Sequence, residues 1–224
     1  MLFSFCACAR QNVNSTEPQT SGTTVSTTAA PPVWQRQKDS PQNQGVDPAV
    51  LNDVHETFDS FPLLSSVIVR NGYIVDEYYK DGYDENSVFV LNSASKSVTS
   101  ALIGIAVDMG LIESVDVPIS TYFPQVLENG GYWAEITIRH LLTHTSGIDM
   151  SDTADWYDWR SSANWVQYIL DRSVTSRPGT VFNYSTGNTH LLSAILQQAS
   201  VMTLEEFCKR YLFDPMEMNS ASVS

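Results

Sequence analysis

Ser93-Ala94-Ser95-Lys96 places a hydroxyl and an amine three residues apart, the pair in this chain best suited to covalent chemistry. Downstream, apolar residues fall at Val98, Ala101, Leu102, Ile105, Ala106 and Met109. That is the i, i+3, i+4, i+7 spacing of a helix burying one face. Gly110 stands where a C-terminal stop belongs. The spacing predicts a buried helix start near Ser93, with Asn92 as N-cap and Lys96 projecting from the same face as Ser93. A serine hydroxyl is a weak nucleophile until a neighbouring base takes its proton. A lysine serves as that base when burial beside the positive end of a helix lowers its pKa. The unpaired N–H groups of the first turn can also face a developing oxyanion. A short motif of this kind also arises by chance, so the elements around it have to support it.

Asp47-Pro48 reads as N-cap and first position of a short helix whose apolar face is Val50, Leu51, Val54, His55 and Phe58, with His55 a packed histidine. Ser65 to Arg70 and Tyr73 to Tyr79, joined by Asn71-Gly72, carry the strongest short signal for a β-hairpin. Thr137 caps a short helix from Ile138 to Thr143 that stops before Gly147. His140 and His144 are four apart, as in a zinc-binding pair, but no third ligand follows at a suitable spacing. No metal and no cofactor is expected, and His144 reads as a turn-stabilising residue. Trp156-Tyr157-Asp158-Trp159 is an aromatic cluster in a polar loop, where core packing competes with a substrate wall built by Trp156 and Trp159. Further helices are expected over 163–170, 187–199 and 204–212.

With 224 residues and 42% hydrophobic content the chain can bury a real core. Its net charge of −13 speaks against nucleic acid or an anionic membrane surface as partner. Cys6, Cys8 and Cys208 form neither a disulfide framework nor a metal pattern. Residues 1–9 are apolar and end in small residues, like the remnant of a signal peptide, and Cys8 after Ala7 is a candidate acylation site. Residues 10–46 are rich in Ser, Thr, Pro, Gln and Asn and are expected to be a disordered tether. The folded domain is then 47–224, and the two clues together point to an exported, envelope-associated protein, tethered to a membrane if Cys8 carries a lipid.

Four segments carry a resemblance: Ser93-Ala94-Ser95-Lys96, Asp116-Val117-Pro118-Ile119, the run Ile138 to Gly147, and Pro178-Gly179-Thr180-Val181-Phe182-Asn183-Tyr184-Ser185. Together, over roughly 47–224, they resemble the β-lactamase-related serine hydrolases, a group of class C β-lactamases, D-alanyl-D-alanine carboxypeptidases, esterases and 6-aminohexanoate-dimer hydrolases. The resemblance implies an α+β fold of the serine β-lactamase/transpeptidase type: a mostly antiparallel sheet flanked by helices, plus a helical lobe. It implies Ser93 as nucleophile, Lys96 as its activating partner and Tyr184 as the tyrosine of the second motif. A phenol becomes a usable base only beside a cation, which Lys96 can supply. Thr186 stands where many members have asparagine, which weakens a strict β-lactamase reading and makes Thr186 a candidate substrate contact.

Nothing after Tyr184 matches the family's third motif, a Lys/His-Thr/Ser-Gly strand. The chain reads as truncated at its C-terminus, with an incomplete sheet, and as given is expected to be inactive and prone to aggregate. The activity expected of the longer protein is cleavage of a small ester, amide or peptide through an acyl-enzyme on Ser93. The rivals are a β-lactamase or D-alanyl-D-alanine carboxypeptidase and, in a different class, a non-catalytic binding or sensor domain.

Overall fold

The computed structural model describes residues 37–218 and 221–222, and these form two compact units. The segments read as signal remnant, acylation site and most of the tether lie outside the described residues.

One unit covers 37–89. Its sheet has strand order β1-β3-β2, with β1 at Gln37–Lys38, β2 at Ser65–Arg70 and β3 at Tyr73–Tyr79. The hairpin stands where the sequence puts it. Asn71 and Gly72 take φ of 53° and 83°, the pair of left-handed residues that matches a two-residue turn to the twist of its strands. The register slips between Ile68 and Val69, which gives β3 one extra residue. That bulge is why adjacent Ile74 and Val75 are both buried, against strict alternation. Two features differ from expectation. The sheet is mixed, because β1 runs parallel to β3, and residues 37–46, read above as the end of the tether, carry a strand and a 3-10 turn. The Asp39 carboxylate accordingly gathers Ser40 N, Asn43 Nδ2 and Gln44 Nε2, closing a small loop next to β1. Helix α1, Pro48–Asp59, is capped by Asp47, which accepts from Ala49 N. It is tied to β3 by His55 Nε2 on Asp76 (2.8 Å) and by the Tyr78 hydroxyl on Asp59 (2.7 Å), so His55 is indeed a packed residue.

The other unit covers 90–217 and is helical. Its helices are α2 (Ser95–Asp108), α3 (Ile138–Leu142), α4 (Trp156–Ser161), α5 (Trp165–Leu170), α6 (Thr186–Ser200) and α7 (Leu204–Cys208). Helix α6 is the hub, packed against α2, α3, α5 and α7, with Leu191, Leu192, Ile195 and Leu196 buried. Each such side chain contributes roughly 1.5–3 kcal/mol through the water it leaves. Helix α2 ends as predicted: Gly110, at φ 71°, lets its N–H reach Val107 O while Leu111 N reaches Ala106 O. Its inward face is Thr99, Leu102, Ile103 and Ala106, turned from the predicted stripe and leaving Met109 42% exposed. Helix α7 opens with a reciprocal cap between Thr203 and Glu206 and closes on Cys208, fully buried, where the last turn widens into a π-helical turn over Lys209–Phe213. The Trp156 cluster is itself helical, in α4, rather than a loop.

Candidate active site

Ser93 lies in a 3-10 turn, Asn92–Ala94, that runs directly into α2. Asn92 does not cap this helix. It sits at φ 48°, in the left-handed region that asparagine tolerates better than most residues, and turns the chain into the 3-10 step. Ser93 is therefore exposed rather than buried, and Lys96 is half-buried. One helical step carries the amine back onto the serine, so that Lys96 Nζ donates to Ser93 Oγ at 3.1 Å. Ser95 is held elsewhere, its hydroxyl donating to Asn92 O at 2.6 Å. Lys96 Nζ also lies 5.0 Å from the centre of the Tyr184 ring, within cation–π range. The three side chains named from the sequence thus meet through the lysine.

Tyr184 is placed by a turn far from α2 in sequence. Arg139 grips Asp116 with two parallel bonds of 2.6 and 2.8 Å, while Ile138 N donates to Val117 O, which joins two of the segments singled out above. Beyond α3, residues 144–147 run alongside 175–183, with Thr175 N on Gly147 O, Gly179 N on Thr145 O and Asn183 N on His144 O. Gly147 is obligatory here: its φ is 78°, and a Cβ would stand 2.1 Å from Ser176 O. The buried Ser146 hydroxyl donates to Asn188 of α6 at 2.8 Å. Asp152 then accepts from both the backbone N–H (2.6 Å) and the hydroxyl (2.5 Å) of Thr186, tying down the first residue of α6. Gly187 gives Met150 room, since a Cβ there would be 2.4 Å from the Met150 sulfur.

His144 is the residue the sequence undervalued. Its ring stacks on Tyr184, centroids 4.8 Å apart at 23°, and Ser185 N donates to its Nδ1 at 3.2 Å. Burial, then the nearby Lys96 charge, pull its pKa below the usual imidazole value, with Asp152 acting against them. An N–H aimed at Nδ1 favours the neutral ring as well, because it can only donate. His140 turns the other way, its Nδ1 accepting from Thr137 N at 3.1 Å, so the two rings are engaged separately. Asp152 too was missed, since nothing local in the sequence links it to Thr186.

The proposed substrate contacts fare differently. Trp159 is 3% exposed, with its indole N–H on Trp165 O and its ring against Trp165 and His190, which leaves almost no surface to offer a ligand. Trp156 is half-buried under the Arg160 guanidinium, 5.4 Å from its ring. Thr186 gives its hydroxyl proton to Asp152.

The β-lactamase family profile matches residues 56–224. A β-lactamase of Yersinia enterocolitica is 29% identical over 143 residues, spanning 62% of this chain and 35% of the relative. Penicillin-binding protein 4* of Bacillus subtilis is 30% identical over 176 residues, spanning 70% and 37%. The chain therefore spans little more than a third of the length of these relatives. Among solved structures, FmtA from Staphylococcus aureus shares the fold at a TM-score of 0.64 and 18% identity, over 83% of this chain and 52% of that one. The fold is that of the serine β-lactamases and transpeptidases, partial in this chain, and the chain belongs to the β-lactamase family.

Proposed function

We propose that the protein carrying this chain is a serine hydrolase that cleaves a small ester or amide through an acyl-enzyme on Ser93. The observation that supports it most is the Lys96 Nζ to Ser93 Oγ contact at 3.1 Å, made by an amine that also lies over the Tyr184 ring. In acylation Ser93 Oγ bonds to the substrate carbonyl carbon and the bond to the leaving group breaks. The serine proton passes through Lys96 and Tyr184 to that leaving group. Water then bonds to the same carbon, the Ser93 Oγ–acyl bond breaks, and a proton from water returns to Ser93. The net reaction is hydrolysis to an acid and an alcohol or amine. Thr186, with its hydroxyl proton directed to Asp152, favours an ester or simple amide over a β-lactam, because it lacks the side-chain amide donor of the asparagine it replaces. Export to the cell envelope belongs to the same reading, as relatives of this chain are named β-lactamase and penicillin-binding protein.

The test is a screen of the full-length protein against p-nitrophenyl esters, a chromogenic cephalosporin and D-Ala-D-Ala peptides, with a fluorophosphonate probe mapped by mass spectrometry. Ester turnover with a single adduct on Ser93, lost in Ser93→Ala, is the expected result. An adduct on Ser95 or Ser97 overturns the assignment, and labelling without turnover of any substrate supports the binding or sensor alternative.

A further inference from the structure

His144 touches no part of the Ser93–Lys96 pair in the way a base would, yet it meets the Tyr184 ring more squarely than any other aromatic group described. We infer that His144 is a positioning residue for Tyr184: a neutral imidazole, clamped at Nδ1 by the Ser185 N–H, forms the flat support that holds the phenol ring beside Lys96. The inference rests on the serine-hydrolase reading above and adds to it a residue outside the Ser93–Lys96–Tyr184 set.

Three observations carry it. The rings are near parallel, 23° apart at 4.8 Å, so the imidazole limits how the phenol can swing about its Cα–Cβ bond. The clamp is fixed at both ends of the histidine, since its carbonyl accepts from Asn183 N at 2.8 Å while its ring accepts from Ser185 N, the two residues that flank Tyr184. The backbone of His144 lies at φ 54°, a left-handed conformation uncommon for a side-chain-bearing residue and found where the surrounding structure holds it. One histidine thus fixes the backbone on either side of the tyrosine and the ring itself.

The arrangement tolerates only one protonation state. With Ser185 N–H directed at Nδ1, the ring proton must sit on Nε2. Protonation would place a second N–H against that of Ser185 and a positive charge near Lys96, which already disfavours it. The groups that face the imidazole are Lys96 from α2, whose charge disfavours the cation, Asp152 from the segment before α4, which favours it, and the Tyr184 phenol. Acid should therefore break the clamp at Ser185 and free the Tyr184 ring. Because the His144 pKa is depressed, this happens below the ordinary imidazole range, and the site is intact at neutral pH.

The experiment compares wild type, His144→Asn and His144→Ala in the full-length protein. Asparagine tolerates the left-handed backbone, and its amide oxygen can accept the Ser185 N–H, so the turn is kept while the flat ring is lost. Thermal unfolding reports whether each variant folds. For ester turnover, His144→Asn is expected to lower kcat by about 10- to 100-fold with KM nearly unchanged, consistent with loss of proton-transfer geometry. Probe labelling of Ser93 should slow by a similar factor yet still reach completion. The wild-type rate should carry an acid limb below pH 6.5 that His144→Asn lacks, and a purely structural histidine would not move that limb. A folded His144→Asn protein with wild-type kcat and the same acid limb overturns the inference. So does a variant whose entire loss appears in KM. If Ser93 of the wild type takes no probe at all, the hydrolase reading falls and this inference falls with it, which separates the two failures.

Discussion

An arginine at position 96 would keep a positive charge near Ser93 and Tyr184 but could neither give up its proton nor reach both groups as a compact ammonium does. Lys96→Arg should therefore lower the rate of Ser93 acylation by about 10²–10⁴, the usual worth of a positioned acid–base group, while the substrate still binds. The check is a comparison of probe-labelling rate with KM in the full-length protein. Tyr184→Phe removes only the hydroxyl, and the Phe ring can keep the stack on His144 at 4.8 Å. It should lose rate on the same scale without losing stability. Retention of most of the acylation rate would return Tyr184 to a packing role. Ser93 and Lys96 are legible in the sequence because they stand one turn apart at the start of an apolar helix, and Tyr184 through the run that carries the family resemblance. His144 and Asp152 are not. Their roles depend on partners 34 to 41 positions away, and spacing along the chain does not encode such meetings.

Two glycines show how differently the same change acts on different elements. Gly104 lies inside α2 with open space where a Cβ would go, so Gly104→Ala should stabilise the helical unit by about 0.5–1 kcal/mol. Gly147 has a left-handed φ and a carbonyl oxygen 2.1 Å from that point, so Gly147→Ala should cost roughly 3 kcal/mol or more. Urea midpoints of the two variants should thus move in opposite directions. Asp152→Ala removes both bonds to Thr186 and should cost about 1 kcal/mol, as the loss of a helix N-cap does. It should also slow acylation, because Tyr184 stands two residues ahead of that cap; unchanged kinetics would separate Asp152 from the site. Elements set by local signals are readable at once: the Asn71-Gly72 hairpin, the Asp47-Pro48 start of α1 and the Gly110 stop. The inward face of α2 is not. Counting apolar residues puts Val98 and Met109 inside, whereas α6 selects the face bearing Thr99, whose hydroxyl is satisfied within the helix by Ser95 O at 3.4 Å. The two-residue β1 is too short to show any periodicity, so the parallel strand leaves no trace in the pattern.

At the scale of the whole molecule, one half-buried histidine adds to the sensitivity of the helical unit to acid. His190 is enclosed by Trp159 and Trp165, and burial pushes its pKa down to about 4. Between pH 6.5 and 4 the unfolded chain takes up a proton that the folded chain refuses, so stability falls as the pH drops through that window and levels off below it. The loss attributable to His190 is on the order of 3 kcal/mol. Urea midpoints measured from pH 7 to pH 4 should fall less steeply in His190→Phe, which fills the cage without titrating; parallel profiles would refute the assignment. The net charge of −13 also shrinks toward zero over this range, since the isoelectric point is about 4.5. Destabilisation and loss of charge repulsion therefore coincide, and precipitation should begin near that pH in wild type before it does in His190→Phe. The last turns of the unit hold a different kind of gauge. The Cys208 thiol is fully buried, and its pKa is pushed up to about 11 by that burial, so at neutral pH it meets an alkylating reagent only when the α7 segment transiently opens. Iodoacetamide uptake at Cys208, resolved from Cys6 and Cys8 by peptide mass, would thus record how often this stretch comes undone. The chain carries its own stopwatch for local opening, and no cysteine need be engineered to read it.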